Sequence, residues 1–238
     1  KVIAVRAFLP VPEAQTVRIV DIKTNKSYQM EKVHKAGFFE AICTGKKDIF
    51  LYRISVKSID GTTPEFYDPY SFLPVLSDFD LHLIGEGSHY KTYEKLGAHA
   101  MEINGIQGVH FAVWAPNAKR VSVIGNFNNW DTRRHPMRIL GASGVWELFI
   151  PGLGEGEVYK FEILSKINKH LSEKADPYAF YAEIRPKSAS IVYNINRYQW
   201  NDNAWMKSRP GKNWFESPVA IYEVHPGAWM RVPEEGDR

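Results

Sequence analysis

Hydrophobic residues alternating with period two, turn residues between the alternating runs, and an internal repeat of about 107 residues predict an all-β protein built of two tandem β-sandwiches. The alternation is clearest in the second half. Over residues 108–115, Val109, Phe111, Val113 and Ala115 share one face. Val121 and Val123 point one way in the next run, and Tyr159, Phe161 and Ile163 alternate with Lys160 and Glu162. Each run reads as a half-buried antiparallel strand. Ala115-Pro116-Asn117, Pro151-Gly152 and Gly154-Glu155-Gly156 separate the runs. Proline fixes φ and removes a donor, and glycine enters turn conformations closed to other residues. No long amphipathic helix is predicted; the best short candidate is Thr92–Leu96.

The repeat organises the chain. Phe8-Leu9-Pro10 recurs as Trp114-Ala115-Pro116, 106 residues on. Met30 recurs as Met137, Gly37-Phe38-Phe39-Glu40 as Gly144-Val145-Trp146-Glu147, and Tyr52-Arg53-Ile54 as Tyr159-Lys160-Phe161, each 107 residues on. Asp68-Pro69-Tyr70-Ser71-Phe72 recurs as Asp176-Pro177-Tyr178-Ala179-Phe180, 108 residues on. The period is too long for a solenoid and fits one immunoglobulin-like β-sandwich of roughly 100 residues. The expected layout is a first sandwich over residues 1–84, a linker over 85–107, and a second sandwich over 108–197. Residues 198–218 read as a polar linker that Trp200, Trp205 and Trp214 pin to a surface, and residues 219–225 as a new buried strand.

Bulk properties narrow the function. Thirty basic and 27 acidic residues leave a net charge of +3, too balanced for a nucleic-acid or anionic-membrane partner. The single cysteine, Cys43, excludes an intramolecular disulfide framework and reads as a small buried residue in a reducing, cytoplasmic setting. No apolar run approaches the roughly 18 residues of a spanning helix. The alternating start, with Arg6 inside it, does not read as a signal peptide. His99 and His225 have no partners at ligand spacing, so neither a metal site nor a cofactor is expected. The unusual bulk feature is aromatic: 7 Trp, 12 Tyr and 13 Phe. Aromatic residues favour strands, and their flat faces also stack on sugar rings.

The candidate binding segment is Gly125-Asn126-Phe127-Asn128-Asn129-Trp130-Asp131. It follows a strand, so it should be a surface loop. An exposed indole stacks on the apolar face of a pyranose, and neighbouring amides bond its hydroxyls. Trp130, Asn128 and Asn129 supply these groups, and Lys160, facing outward from its strand, completes the patch. The other reading has Trp130 packing over its own sandwich while the asparagines shape a turn. The repeat bears on this choice: the position of Trp130 falls on Lys23 in the first copy, within Asp21-Ile22-Lys23-Thr24-Asn25. A tryptophan needed for packing should persist in both copies.

The stretches 108–125, 125–131 and 159–161 resemble the family 48 carbohydrate-binding module. That resemblance implies that Trp130 and Lys160 contact α-1,4-glucan, and that Asn194 is a further contact near the module's end. A second aromatic that some such modules carry beyond the lysine is absent from Ser165-Lys166-Ile167-Asn168-Lys169-His170. Residues 93–99, 131–137, 176–180 and 221–225 are similar to bacterial glycogen branching enzymes, with Pro226 standing where a leucine is common. This implies a non-catalytic N-terminal region whose partners are glycogen and its own catalytic barrel. Residues 219–238 would then be the stub of a (β/α)₈ barrel, a fold of about 200–250 residues. The expectations are that 214–238 packs poorly, pairs with another molecule or is disordered, and that no catalytic residue lies in this sequence. The alternatives are purely structural modules without measurable glucan binding, or the module of a debranching enzyme or a glycogen sensor.

Overall fold

The structure, a computed structural model, describes residues 2–10, 14–58, 61–225 and 229. Lys1–Ile195 form one compact unit and Asn196–Arg238 a second. The first unit is all-β and sandwich-like, with one short helix. It opens with β1 (Ile3–Phe8), β2 (Ala14–Asp21), β3 (Ser27–His34), β4 (Phe38–Cys43), β5 (Tyr52–Ser58) and β6 (Glu65–Tyr67), antiparallel in the order β1-β4-β3-β2-β5-β6. Alternate residues turn inward, so Val17, Ile19, Met30, Phe39, Ala41, Ile54 and Val56 share a core. Cys43 is fully buried there. Burying each Val, Ile, Met or Phe side chain contributes about 1.5–3 kcal/mol.

The chain then crosses to a second set of strands and is locked onto it. Phe72 is buried with its ring 4.8 Å from that of Phe149. The buried Glu147 carboxylate accepts from the Val75 and Leu76 backbone N–H groups, and its Oε2 lies 3.0 Å from His110 Nε2. Burial opposes that charge; the bonds from His110 and the two amides outweigh it and hold the carboxyl below its ordinary range. Helix α1 (Asp78–Glu86) follows. Ser77 caps it by accepting from the Asp80 N–H, Asp80 accepts in return from the Ser77 N–H, and Gly87 ends it in the left-handed conformation.

Next come β7 (Gly97–Ile103), β8 (Ile106–Trp114), β9 (Ala118–Gly125), β10 (Arg138–Ile139), β11 (Val145–Pro151), β12 (Val158–Ser165), β13 (Leu171–Lys174), β14 (Tyr181–Ala182) and β15 (Ser190–Ile191). One sheet runs β10-β11-β8-β7; the facing sheet runs β13-β12-β15-β14, with β9 also paired to β12. Val109, Phe111, Val121, Val123, Leu148, Tyr159 and Phe161 fill the space between them.

Three expectations are corrected. β8 is buried on both faces, not one, because Leu76, Leu96, Leu81 and Ile84 fold over Ala112 and over Val145 of the neighbouring β11. The stretch 85–107 is not simply a linker, since it contains all of β7, paired residue for residue with β8. The short helix candidate at Thr92–Leu96 is a single 3₁₀ turn over Thr92–Glu94, and the true helix precedes it.

The repeat recurs at the level of atoms. Leu9 N–H donates to Gly37 O over 2.8 Å, and Ala115 N–H to Gly144 O over 2.8 Å. Both glycines have positive φ, and a Cβ on either would strike the opposing Leu9 carbonyl or Pro116. Tyr52 O–H donates to Asp68 Oδ2 over 2.6 Å, as Tyr159 does to Asp176, and each Asp accepts from the backbone N–H two residues on.

The second unit holds α2 (Asn203–Ser208), where a plain linker was expected. Trp205 and Trp214 meet edge-on at 5.8 Å, with Lys212 Nζ 4.2 Å from the Trp205 ring centre. The buried strand expected at 219–225 is not formed: these residues are irregular and exposed, Ile221 to 91%. A strand needs a ladder partner, and none of the described residues pairs with them. The remainder of the expected stub, save Trp229, lies outside the described residues. No helix among the described residues is long and apolar enough to cross a membrane.

Candidate functional site

β9 ends at Gly125, where space permits only glycine: a Cβ would lie 2.3 Å from the Val158 carbonyl oxygen and 2.5 Å from the Phe127 ring. A 3₁₀ turn over Asn126–Asn128 follows. Asn129 and Trp130 then take two consecutive left-handed conformations, φ 55° and 58°. Asparagine tolerates this region; for a bulky L-residue it costs roughly 1–2 kcal/mol. The surroundings hold Trp130 there. Its backbone N–H donates to Gly125 O, and its indole Nε1–H donates to Asn126 Oδ1 over 3.0 Å. The residue stays 37% exposed. Trp130 thus combines a strained backbone with an exposed aromatic side chain.

Asn128, expected as a contact, is corrected: it is buried at 1% exposure and all its amide groups are engaged. Its Oδ1 accepts from Gly125 N–H, and its Nδ2 donates to Val123 O and to His135 Nδ1. It builds the loop from beneath and cannot reach a ligand. His135 must therefore offer an unprotonated Nδ1. Burial, with Arg134 nearby, keeps it so by lowering its pKa to about 4. Beyond Trp130, Asp131 accepts from Arg133 Nε and NH2, and this pairing holds its carboxyl at about 2.

Asn129 is exposed at the tip of the turn. Lys160 lies on β12 opposite Ile124, pointing away from the core residues Tyr159 and Phe161, with Nζ 4.0 Å from Glu173 Oε2. Asn194 is exposed just past β15. The topology brings these residues to one end of one sheet. β9 finishes opposite Tyr159, β12 begins at Val158, and β15 finishes opposite Val158. The Trp130 loop, Lys160 and Asn194 thus span about two strand spacings, roughly 10 Å. Sequence reasoning missed Asn126 as the anchor of the indole and His135 as the floor of the loop. Among the described residues, no group of three His, Cys, Asp or Glu is placed to hold a metal.

Residues 1–70 match the family described as alpha-1,4-glucan branching enzyme GlgB, N-terminal domain, and residues 95–179 match Carbohydrate-binding module 48 (Isoamylase N-terminal domain). The 1,4-alpha-glucan branching enzyme GlgB of Paramagnetospirillum magneticum is 47% identical over 95% of this chain, and that of Rubrobacter xylanophilus 48% over 97%. Over nearly its whole length the chain is similar to the N-terminal region of GlgB branching enzymes. It spans about 30% of the length of these relatives. A solved pullulanase from Anoxybacillus sp. LM18-11 covers 81% of this chain and 26% of its own length at 19% identity, with a TM-score of 0.36, too low to bear on the site.

Proposed function

We propose that this chain is the glucan-holding N-terminal region of a 1,4-α-glucan branching enzyme of glycogen synthesis. In this reading it comprises two tandem immunoglobulin-like sandwiches, the second extended at its front to include β7. That second sandwich binds α-1,4-glucan through Trp130, Lys160 and Asn129, with Asn194 at the far side. The observation that carries the reading is Trp130 itself, exposed, strained and oriented by Asn126 at the sheet end that also presents Lys160. The family match over 95–179 supports it. The chain transfer, in which a carboxylate nucleophile and a carboxylic acid work through a covalent glycosyl intermediate, is assigned to the remaining length of the relatives, and the barrel there is this region's partner.

A single stacking surface of this kind gives millimolar affinity, about −4 kcal/mol. Glycogen makes that sufficient, because its many chain ends raise the effective concentration. Calorimetric titration with maltoheptaose tests the site. The Trp130→Ala chain should bind at least tenfold more weakly at an unchanged melting temperature. Equal binding by both chains would contradict the proposal. For the first copy we favour a structural role, because its equivalent turn is closed around the buried Asp21.

A further inference from the structure

We infer that Tyr181 and Tyr193 form a second sugar-stacking platform on the sheet face that carries Lys160, so that the glucan is held at two points rather than one. This rests on the reading of Trp130 and Lys160 as a glucan site. Strand register supplies the geometry. Val158 pairs with Ile191, and Ile191 pairs in turn with Tyr181. Cross-strand partners lie on one face, and residues two apart on a strand share it. Tyr181, Ile191, Val158 and Lys160 therefore share a face, opposite to Tyr159 and Phe161, which fill the core. Tyr193, two residues past Ile191, brings its ring to 5.3 Å from that of Tyr181 at an interplanar angle of 35°.

Tyr181 is 50% exposed and Tyr193 is half-buried, so the pair reaches solvent. β14 is only two residues long, so the ring is presented at the end of a short, well-anchored hairpin with β15. Phenol rings offer a flat apolar face with a hydroxyl at one edge, the combination that stacks on a pyranose and bonds its rim. The strand path β9-β12-β15-β14 sets the Trp130 loop and Tyr181 three strand spacings apart, roughly 14 Å, with Lys160 between them. A glucan of several units crossing this end of the sheet meets an indole, then an ammonium group, then a tyrosine pair. A short oligosaccharide reaches one platform only.

The test is a titration of the full chain with maltotriose and with maltoheptaose, using wild type, Trp130→Ala, Tyr181→Ala, Tyr181→Phe and Tyr193→Ala. Tyr181→Ala and Tyr193→Ala should weaken maltoheptaose binding about five- to tenfold and leave maltotriose within about twofold, while Tyr181→Phe, which keeps the stacking face and loses only the rim hydrogen bond, should fall about two- to threefold. Tyr181 is exposed enough that its alanine variant decides the matter if Tyr193→Ala fails to fold. Wild-type affinity for maltoheptaose in Tyr181→Ala, with Trp130→Ala impaired, would overturn the platform and leave the Trp130 site standing. Unimpaired binding by Trp130→Ala would overturn the site on which the inference rests.

Discussion

The two copies of the repeat keep the same locks and differ in one loop. Each has a Tyr–Asp hydrogen bond of 2.6 Å and a Gly carbonyl accepting from the residue before a proline. Each also has a basic side chain facing a Glu from the neighbouring strand, Arg53 with Glu65 and Lys160 with Glu173. Even the turns share a plan: Asp21 and Asn128, 107 residues apart, are both buried at 1% exposure and both bind their own loop. The chemistry at that position then diverges. Asp21 closes its turn on Lys23 and Thr24 N–H and pairs with Lys46, so the loop ends in a satisfied charge. Asn128 is neutral, binds His135 and supports two left-handed residues that lift an indole into solvent. What both copies retain is scaffold; what one alone carries is the candidate for function.

The largest expected effect tests the shared part. Asp68→Ala and Asp176→Ala each leave a buried phenol and a backbone N–H without an acceptor, at a cost of about 3–4 kcal/mol. Denaturant unfolding should show the two losses to be similar. A loss in only one copy would break the equivalence.

Acid should then separate the copies. His135 has a folded pKa of about 4 against an ordinary 6.5, so the folded state binds fewer protons than the unfolded one. Its contribution is complete above pH 6.5 and is lost as pH falls toward 4, about 3 kcal/mol in all. Asp21 is opposite in charge but alike in direction. Burial opposes its ionisation, and the bond from Lys46 outweighs this to bring it to about 2, so its contribution persists until pH falls from 3.8 toward 2. Histidine NMR and amide exchange should show the Trp130 loop loosening between pH 6.5 and 4 while the 21–25 turn stays protected. Replacing His135 with Asn should flatten the upper transition.

A smaller effect comes from exchanging the turn residues. Asn128→Asp removes the donor to Val123 O and His135 and should cost about 1–2 kcal/mol. Asp21→Asn should weaken the first copy by a comparable amount through loss of the Lys46 pair. The smallest effect is the most telling about purpose. Trp130→Gly relieves the left-handed strain and should hold or raise stability by up to about 1 kcal/mol, while glucan binding falls at least tenfold. A clear loss of stability would return Trp130 to a packing role.

The sequence revealed what depends on spacing and hid what depends on local geometry. Period two and the 107-residue repeat depend on side chains falling on alternate faces, and the strands and paired locks follow from them. Asn128 and Asn129 looked equivalent beside Trp130; only the 3₁₀ turn and the two positive φ values decide that Asn128 faces inward and Asn129 outward. Helix α1 was missed because a hydrophobic stripe is hard to see when only Leu81 and Ile84 meet the core, although Ser77 and Asp80 stand at capping-box spacing. Tyr181 and Tyr193 were missed because two-residue strands show no period, so only register reveals their common face. Residues 219–225 have the pattern of a strand but no neighbour among the described residues to pair with.

The asymmetry between the copies is tested most directly by following the backbone and indole N–H signals of the intact chain by NMR as maltoheptaose is added. Saturable shifts are expected at the Trp130 Nε1–H and along 125–131, with residues 21–25 unmoved. Shifts of equal size at 21–25, or none at Trp130 when the sugar is in millimolar excess, would contradict it.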